Sequence, residues 1–232
     1  MERRRRRRKR EKGTFLKIPA KREQGTLFKI YNIWHKECPL FLFCRDFKER
    51  PLFPEKVMNY ADIKKVDVSN GEGVRVSLFV SGCNHHCKGC FNQCAWDFNY
   101  GDKFTEKEEQ KIIEYMDHDY IEGLSLLGGE PLEPQNQEGL LPLVKEVKEK
   151  FPDKNIWCYT GFDFEKDVMG KMAKNSQTTR ELLKYIDVVV DGKFEEDKKD
   201  LKLQFRGSSN QRILDVKESL KNGRVVKEEQ YI

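Results

Sequence analysis

The chain has 232 residues, with 44 Lys and Arg against 39 Asp and Glu and a formal net charge of +5. That length holds one sizeable domain, or one domain with an arm. No apolar run reaches transmembrane length, and the basic N-terminus is followed by no apolar stretch with a small-residue cleavage site, so the composition argues against a membrane or exported protein and for the cytoplasm.

The charge is unevenly placed. Residues 1–57 hold 18 Lys/Arg against 7 Asp/Glu, a net +11, whereas residues 58–232 hold 26 against 32, a net −6. The opening RRRRRRKR is a like-charge block expected to stay disordered. CPLFLFCRDFKERPLFPEK (38–56) is apolar but broken by prolines and has no clean period. Ordinary globular sequence begins at Met58. Residues 1–57 are therefore expected to be a disordered or irregular extension, or a misassigned start with Met58 as the natural one, and 58–232 the working domain. The rival is a basic arm that touches nucleic acid or an acidic partner. The acidic body itself argues against nucleic acid.

From Met58 the pattern alternates. VRVSLFV (74–80) places Val74, Val76, Leu78 and Val80 on one face of a strand. TEKEEQKIIEYM (105–116) opens with a capping box, Thr105 with Glu108, and turns Ile112, Ile113 and Met116 inward as a helix. GLSLL (123–127) is a buried strand ended by Gly128 and Gly129, and LLPLVKEVKEKF (140–151) is a helix with Leu143, Val144 and Val147 on one side. NIWCYT (155–160) is a strand, TTRELLKYI (178–186) a helix and DVVVD (187–191) a strand. Strands separated by helices imply an α/β fold with mostly parallel strands, open or curled into part of a (β/α) barrel. Ligands collect at the carboxyl ends of such strands. The cysteine loop, GGEP, YTGF and DGKF follow the four strands in turn, so all four fall on one edge.

SGCNHHCKGCFNQC (81–94) carries four cysteines and two histidines. In a reducing compartment such a cluster is a metal site rather than a disulfide framework. Thiolates select zinc or iron–sulfur clusters. Structural zinc usually takes two separated ligand pairs, and no second pair follows here, since Cys158 stands alone. A 4Fe–4S cubane suits one tight loop better. Cys83, Cys87 and Cys90, spaced C-x₃-C-x₂-C, would hold three irons and leave the fourth open. Cys94 is either a fourth ligand or a nearby structural thiol; the downstream motifs favour the second. His85 and His86 read as polar loop surface before metal ligands. Gly89 allows close backbone approach, and Phe91 lies against a flat ring or in the core.

CNHHCKGCF resembles the C-x₃-C-x₂-C-aromatic signature of radical S-adenosylmethionine enzymes, and GGEPL (128–132) resembles that superfamily's second motif. VDVSNGEGVRVSLFVSGC, GLSLLGGEPLEPQN, IWCYTGF, VVVDGKF and QFRGSSNQRILDV together resemble the activating proteins of anaerobic (class III) ribonucleoside-triphosphate reductases, from about Met58 to about Val216. Residues 1–57 have no counterpart.

The resemblance implies a glycyl-radical activating enzyme on a partial (β/α) barrel. Its cofactors would be a 4Fe–4S cluster on Cys83, Cys87 and Cys90 and S-adenosylmethionine chelated by the open iron. Reductive cleavage would give a 5′-deoxyadenosyl radical that takes a hydrogen from a glycine of the partner reductase. Flavodoxin or ferredoxin would supply the electron. Gly89, Cys90, Phe91, Gly128, Gly129 and Glu130 would meet the cofactors. Asp191 and Lys193 would contact the ligand's ribose or carboxylate, or form a local ion pair. Arg206, Ser208, Asn210 and Arg212 would face the partner's glycine loop, or form a solvated loop. Two rivals are an activator of another glycyl-radical protein such as pyruvate formate-lyase, and a non-catalytic zinc or electron-transfer module. The short body and RGSSNQR count against the first.

Overall fold

The computed structural model describes residues 58–228; the extension expected over 1–57 lies outside the described residues. Eight strands form one sheet in the order β3-β1-β2-β4-β5-β6-β7-β8. They are β1 (Asn59–Asp67), β2 (Arg75–Val80), β3 (Asp102–Lys103), β4 (Gly123–Gly128), β5 (Asn155–Tyr159), β6 (Val188–Asp191), β7 (Arg212–Asp215) and β8 (Val226–Lys227). The four expected strands, β2, β4, β5 and β6, are the parallel centre. Both flanks are antiparallel: β1 pairs with β2 and β3, and β7 with β6 and β8. The sheet is open, with β3 and β8 at its edges, so it does not close into a barrel.

Among the described residues, five α-helices connect or flank these strands: α1 (Glu106–Met116), α2 (Pro134–Lys150), α3 (Ala173–Asn175), α4 (Gln177–Leu183) and α5 (Val216–Asn222). A π-helix over Phe164–Met172 runs into α3. The expected capping box opens α1, where the Thr105 N–H donates to Glu108 Oε2 at 3.2 Å. α2 starts six residues before the apolar period does. Pro134 occupies its first turn, where a missing N–H costs nothing. The polar first turns are themselves buried at Asn136 and Gln137, so hydrophobic period could not reveal them. No helix among the described residues is long and apolar enough to cross a membrane.

The period-2 pattern assigns the two faces of the sheet. Val76, Leu78, Val80, Leu124, Leu126, Ile156, Cys158, Val189 and Leu214 join Ile112, Met116, Leu140, Leu143, Val144, Val147 and Leu182 of the helices in one buried core. Each fully buried Leu, Val or Ile contributes roughly 1.5–3 kcal/mol. The alternate residues Trp157, Val188, Val190 and Ile213 form a second, smaller cluster on the other face, with Tyr159 and Phe205 packed against it. Arg75 is fully buried. It donates to Ser125 Oγ (2.7 Å) and to the carbonyls of Leu124 (2.8 Å), Asn155 (3.2 Å) and Glu72 (3.0 Å), tying three strands together at their lower ends.

Asp187, just before β6, accepts from the Ile156 N–H (2.8 Å) and pairs with Lys148 (2.7 Å) and Lys217 (2.6 Å). Burial alone would raise its carboxyl, but the two ammonium groups and the N–H hold it below the usual value. Its stabilising contribution is therefore full above the unfolded-state pKa of about 4 and is lost as pH falls through the lower folded value. Asp187→Ala is expected to cost about 2 kcal/mol in urea unfolding at pH 7, the scale of hydrogen bonds to a charged group at a half-buried site. The difference from wild type should shrink below about pH 4. A pH-independent difference would sink this account.

Candidate metal centre

The parallel register sets the loops level. Val80, the last residue of β2, sits opposite Gly128, the last of β4, and Tyr159 ends β5 opposite Val190 of β6. The loops that follow surround a cavity of about 460 Å³, lined among others by Cys83, Cys87, Cys90, Gly128, Gly129, Glu130, Thr160, Gly192 and Gln211. The shared edge expected from the sequence is present.

All five cysteines among the described residues are free thiols. Cys83 is buried, Cys87 and Cys90 are half-buried, and all three line the cavity. A turn brings the last two together: the Cys90 N–H donates to the Cys87 carbonyl (3.2 Å), and the Asn92 N–H to Cys90 Sγ (3.4 Å). Gly89 supplies the φ of +72° that this turn needs, where a side chain would be strained. Burial pushes the Cys83 thiol up to about 11, with the His85 N–H opposing, and burial likewise raises Cys87. Metal binding converts such thiols to thiolates and releases their protons. Cys94 lies in a short 3-10 turn (Gln93–Trp96), exposed and outside the cavity lining.

Among the described residues, no three His, Cys, Asp or Glu side chains converge on one ion. A zinc ion needs its donors around one point, whereas a four-iron cluster spreads them around a larger body. Three thiols on the wall of one cavity fit the second.

The two glycines at the carboxyl end of β4, Gly128 in its last position and Gly129 just beyond, serve loop packing. A Cβ on Gly128 would meet the Val80 backbone at 2.7 Å, and one on Gly129 would meet the Gly82 carbonyl at 2.6 Å and the Ala95 carbonyl at 2.9 Å. The backbone bonds of the loop run the same way: the Gly129 N–H donates to the Val80 carbonyl (2.7 Å) and the Glu130 N–H to the Gly82 carbonyl (2.9 Å). Both glycines still line the cavity. The GGEP loop thus lies directly against the cysteine loop.

Glu130 is only 1% exposed, and its carboxylate is committed to the protein. Oε1 accepts from the Leu132 N–H (2.8 Å) and the Thr160 hydroxyl (2.8 Å). Oε2 accepts from the Gly161 N–H (2.7 Å) and from His85 Nε2 (2.9 Å). Two further polar side chains of this segment, which sequence reasoning missed, grip the cysteine loop. Glu133 Oε1 accepts from the Asn84 N–H (3.2 Å) and Nδ2 (2.9 Å). Asn136 Nδ2 donates to the carbonyls of Ser81 (3.0 Å) and Glu130 (2.8 Å). Their signal was the polar spacing of three in EPLEPQN, where a surface helix would not need buried polar groups.

Asp191 makes the ion pair, but with Arg212 rather than Lys193. Arg212 donates through Nε (2.9 Å) and Nη2 to the two carboxylate oxygens, and the Phe164 N–H donates to Oδ2 (2.9 Å). The antiparallel register that puts Asp191 opposite Arg212 was not legible, because β7 was not foreseen. Lys193 is exposed and lines a neighbouring cavity of about 300 Å³ with His85, Gly161, Phe162, Asp167 and Lys171. Ser208 is buried, its hydroxyl accepting from the Glu195 N–H (3.2 Å). Asn210 Nδ2 donates to the Lys193 carbonyl (2.8 Å), and Arg206 Nη1 to the Gln211 carbonyl (3.2 Å). Gln211 braces the loop, accepting from the N–H groups of Gly207 and Ser208 and donating to the Gly192 carbonyl. Of the four residues expected to face a partner, Arg206 alone is among those lining the cavity. Phe91 is not a core residue: it is 73% exposed, with Lys199 Nζ 4.8 Å from its ring centroid and Phe194 6.1 Å away.

The chain matches a family described as a 4Fe-4S single cluster domain over residues 69–214. It is 46% identical over 158 residues to the anaerobic ribonucleoside-triphosphate reductase-activating protein of Pasteurella multocida (strain Pm70), which covers 67% of this chain and 96% of that one. The protein of the same name from Enterobacteria phage T4 is 44% identical over 156 residues (67% and 93%), and that of Escherichia coli (strain K12) 42% over 156 residues (66% and 96%). With the cysteine loop and its cavity at the carboxyl edge of the sheet, these likenesses establish that the chain belongs to the family of anaerobic ribonucleoside-triphosphate reductase-activating proteins and carries a 4Fe-4S single cluster domain.

Proposed function

We propose that the chain is a radical S-adenosylmethionine enzyme of the cytoplasm that installs a glycyl radical on an anaerobic ribonucleoside-triphosphate reductase. In this reading the open sheet serves as the partial barrel of that superfamily. The observation that carries it is the grouping of Cys83, Cys87 and Cys90 on one cavity while Cys94 stands outside, which suits a cluster with one unligated iron. Bound there, the cluster supplies one electron, delivered by a flavodoxin or ferredoxin, that cleaves S-adenosylmethionine to methionine and a 5′-deoxyadenosyl radical able to take a glycine hydrogen.

The chain's own residues bind, orient and exclude water. The backbone of Gly128 and Gly129, which lines the cavity, would meet the methionyl end of the ligand, and Glu130 serves by holding that loop in place. Thr160, Gly161, Gly192 and Gln211 form the polar side of the cavity, and Tyr159 and Phe205 an apolar side that keeps it dry. Asp191 acts through Arg212, and Lys193 from the adjoining cavity.

The reductase's glycine segment would enter past Phe91 and Leu201, which is 88% exposed; both line the cavity together with Arg206. Leu201→Asp is expected to weaken the complex with the reductase about tenfold or more, the scale of one interface hot-spot residue, leaving cluster content unchanged. Titration of reductase binding checks this; unchanged affinity removes Leu201 from the interface.

The direct test mixes reduced, anaerobically reconstituted protein, S-adenosylmethionine and the reductase. A glycyl-radical doublet in electron paramagnetic resonance is the expected result. A doublet on pyruvate formate-lyase and none on the reductase would reassign the substrate. Colourless protein with one zinc per chain would replace the enzyme by a structural module.

A further inference from the structure

We infer that His85 is a positioning residue: its imidazole, seated between the loops after β4 and β5, couples ligand binding in the large cavity to the geometry of the cysteine loop. This rests on the cluster reading above and adds to it a residue that neither the thiol spacing nor the glycine motif singles out.

His85 lies between Cys83 and Cys87, and its side chain is 8% exposed. Its Nε2 lies 2.9 Å from Glu130 Oε2 and hydrogen-bonds with it. Glu130 is in turn fixed by Leu132, Thr160 and Gly161. The Phe162 ring meets the imidazole edge-on, centroids 4.4 Å apart. A Cβ at Gly161 would lie 2.4 Å from His85 Cδ2 and 2.7 Å from Nε2, so glycine is what lets the ring sit there. The YTGF segment, besides lining the cavity, thus builds three parts of one seat: the Thr160 hydroxyl, the Gly161 backbone with its missing side chain, and the Phe162 ring.

The seat faces two ways. Glu130, Thr160, Gly161 and His85 all line the large cavity, and His85 and Gly161 also line the smaller one. The residue after His85, His86, has φ +50°, a conformation that non-glycine residues adopt at a cost of order 1–3 kcal/mol and that surrounding contacts must hold. A ligand that settles against Thr160 and Gly161 therefore presses on the group that fixes the backbone between two thiols. Outer partners of this kind typically change metal-site properties by about tenfold or more when removed.

The test uses the full chain, reconstituted anaerobically, with iron content measured for every variant. In wild type, S-adenosylmethionine should change the spectrum of the reduced cluster. In His85→Ala, at wild-type iron content, the apparent Kd for S-adenosylmethionine read from that spectral change should rise about tenfold, and the ligand-induced shift in cluster potential should be lost. His85→Gln, whose amide can donate towards Glu130, should recover most of both. Thr160→Val removes one anchor of Glu130 without touching the cysteine loop, and should raise the Kd about threefold even if His85→Ala takes up no cluster. A Kd and potential shift within twofold of wild type in His85→Ala, no recovery in His85→Gln, or an unchanged Thr160→Val, overturns the inference. Wild-type protein that assembles no four-iron cluster instead overturns the functional reading, so the two failures are distinguishable.

Discussion

Cys83→Ser, Cys87→Ser and Cys90→Ser, made singly, are each expected to abolish cluster assembly, dropping iron from about four per chain to near zero after anaerobic reconstitution. Serine offers a hard, weakly acidic hydroxyl where iron needs a soft thiolate. Two remaining thiols on a shallow loop cannot replace the third, because the other groups near the cavity are already engaged: Glu130 with four donors, Glu133 with Asn84, and His85 with Glu130. Cys94→Ser is expected to keep full iron content and to leave the spectrum with S-adenosylmethionine unaltered, since Cys94 is exposed and lies outside the cavity lining. The contrast is the useful measurement. Loss of iron in Cys94→Ser on the scale of the other three would place a fourth thiolate on the cluster, close the open iron, and leave only electron transfer as the role of the site. Iron retained in any of the other three would detach that cysteine from the centre.

The parts that the sequence reveals are those where local pattern and chemistry coincide. Val76, Leu78 and Val80 alternate because only one face of β2 packs on helices, and Cys83, Cys87 and Cys90 stand out as three closely spaced thiols, which the fold sets on the wall of one cavity. The antiparallel flanks were harder. β1 carries Lys64, Lys65 and exposed Val66, a poor alternation suited to an outer strand, and β7 is four residues whose sense depends entirely on its partner β6. Polar pairings were least legible. Arg212 and Asp191 lie twenty-one residues apart and meet only through sheet register, so RGSSNQR offers a partner surface or a solvated loop to the eye and hides the bonds by which Ser208, Asn210 and Gln211 brace their own loop. Glu130 illustrates the same limit. Its position behind the glycines suggested a ligand contact, while its four donors come from segments that sequence distance keeps apart.

Glu130→Gln is expected to lower the stability of the metal-free protein by about 3 kcal/mol, the sum of one or two buried donors left unpaired, and its melting temperature by about 6–12 °C for a domain of this size. The reason lies in the donor arrangement. The Leu132 N–H approaches Oε1 and the Gly161 N–H approaches Oε2, and both backbone donors are fixed. A glutamine must place its NH₂ at one of these two positions, so either orientation sets donor against donor. Glu130→Asp fails differently, since a side chain one carbon shorter cannot span from Leu132 to Gly161 and His85 together. The melt also separates two roles that the motif alone confounds. Were the carboxylate chiefly a partner for the ligand's ammonium, Glu130→Gln would melt within about 2 °C of wild type without ligand, a change under about 1 kcal/mol, and would show its defect only as weaker S-adenosylmethionine binding. A hub that joins the loops after β2, β4 and β5 must instead show its loss before any cofactor is added, because those loops have to meet first for the cavity to exist.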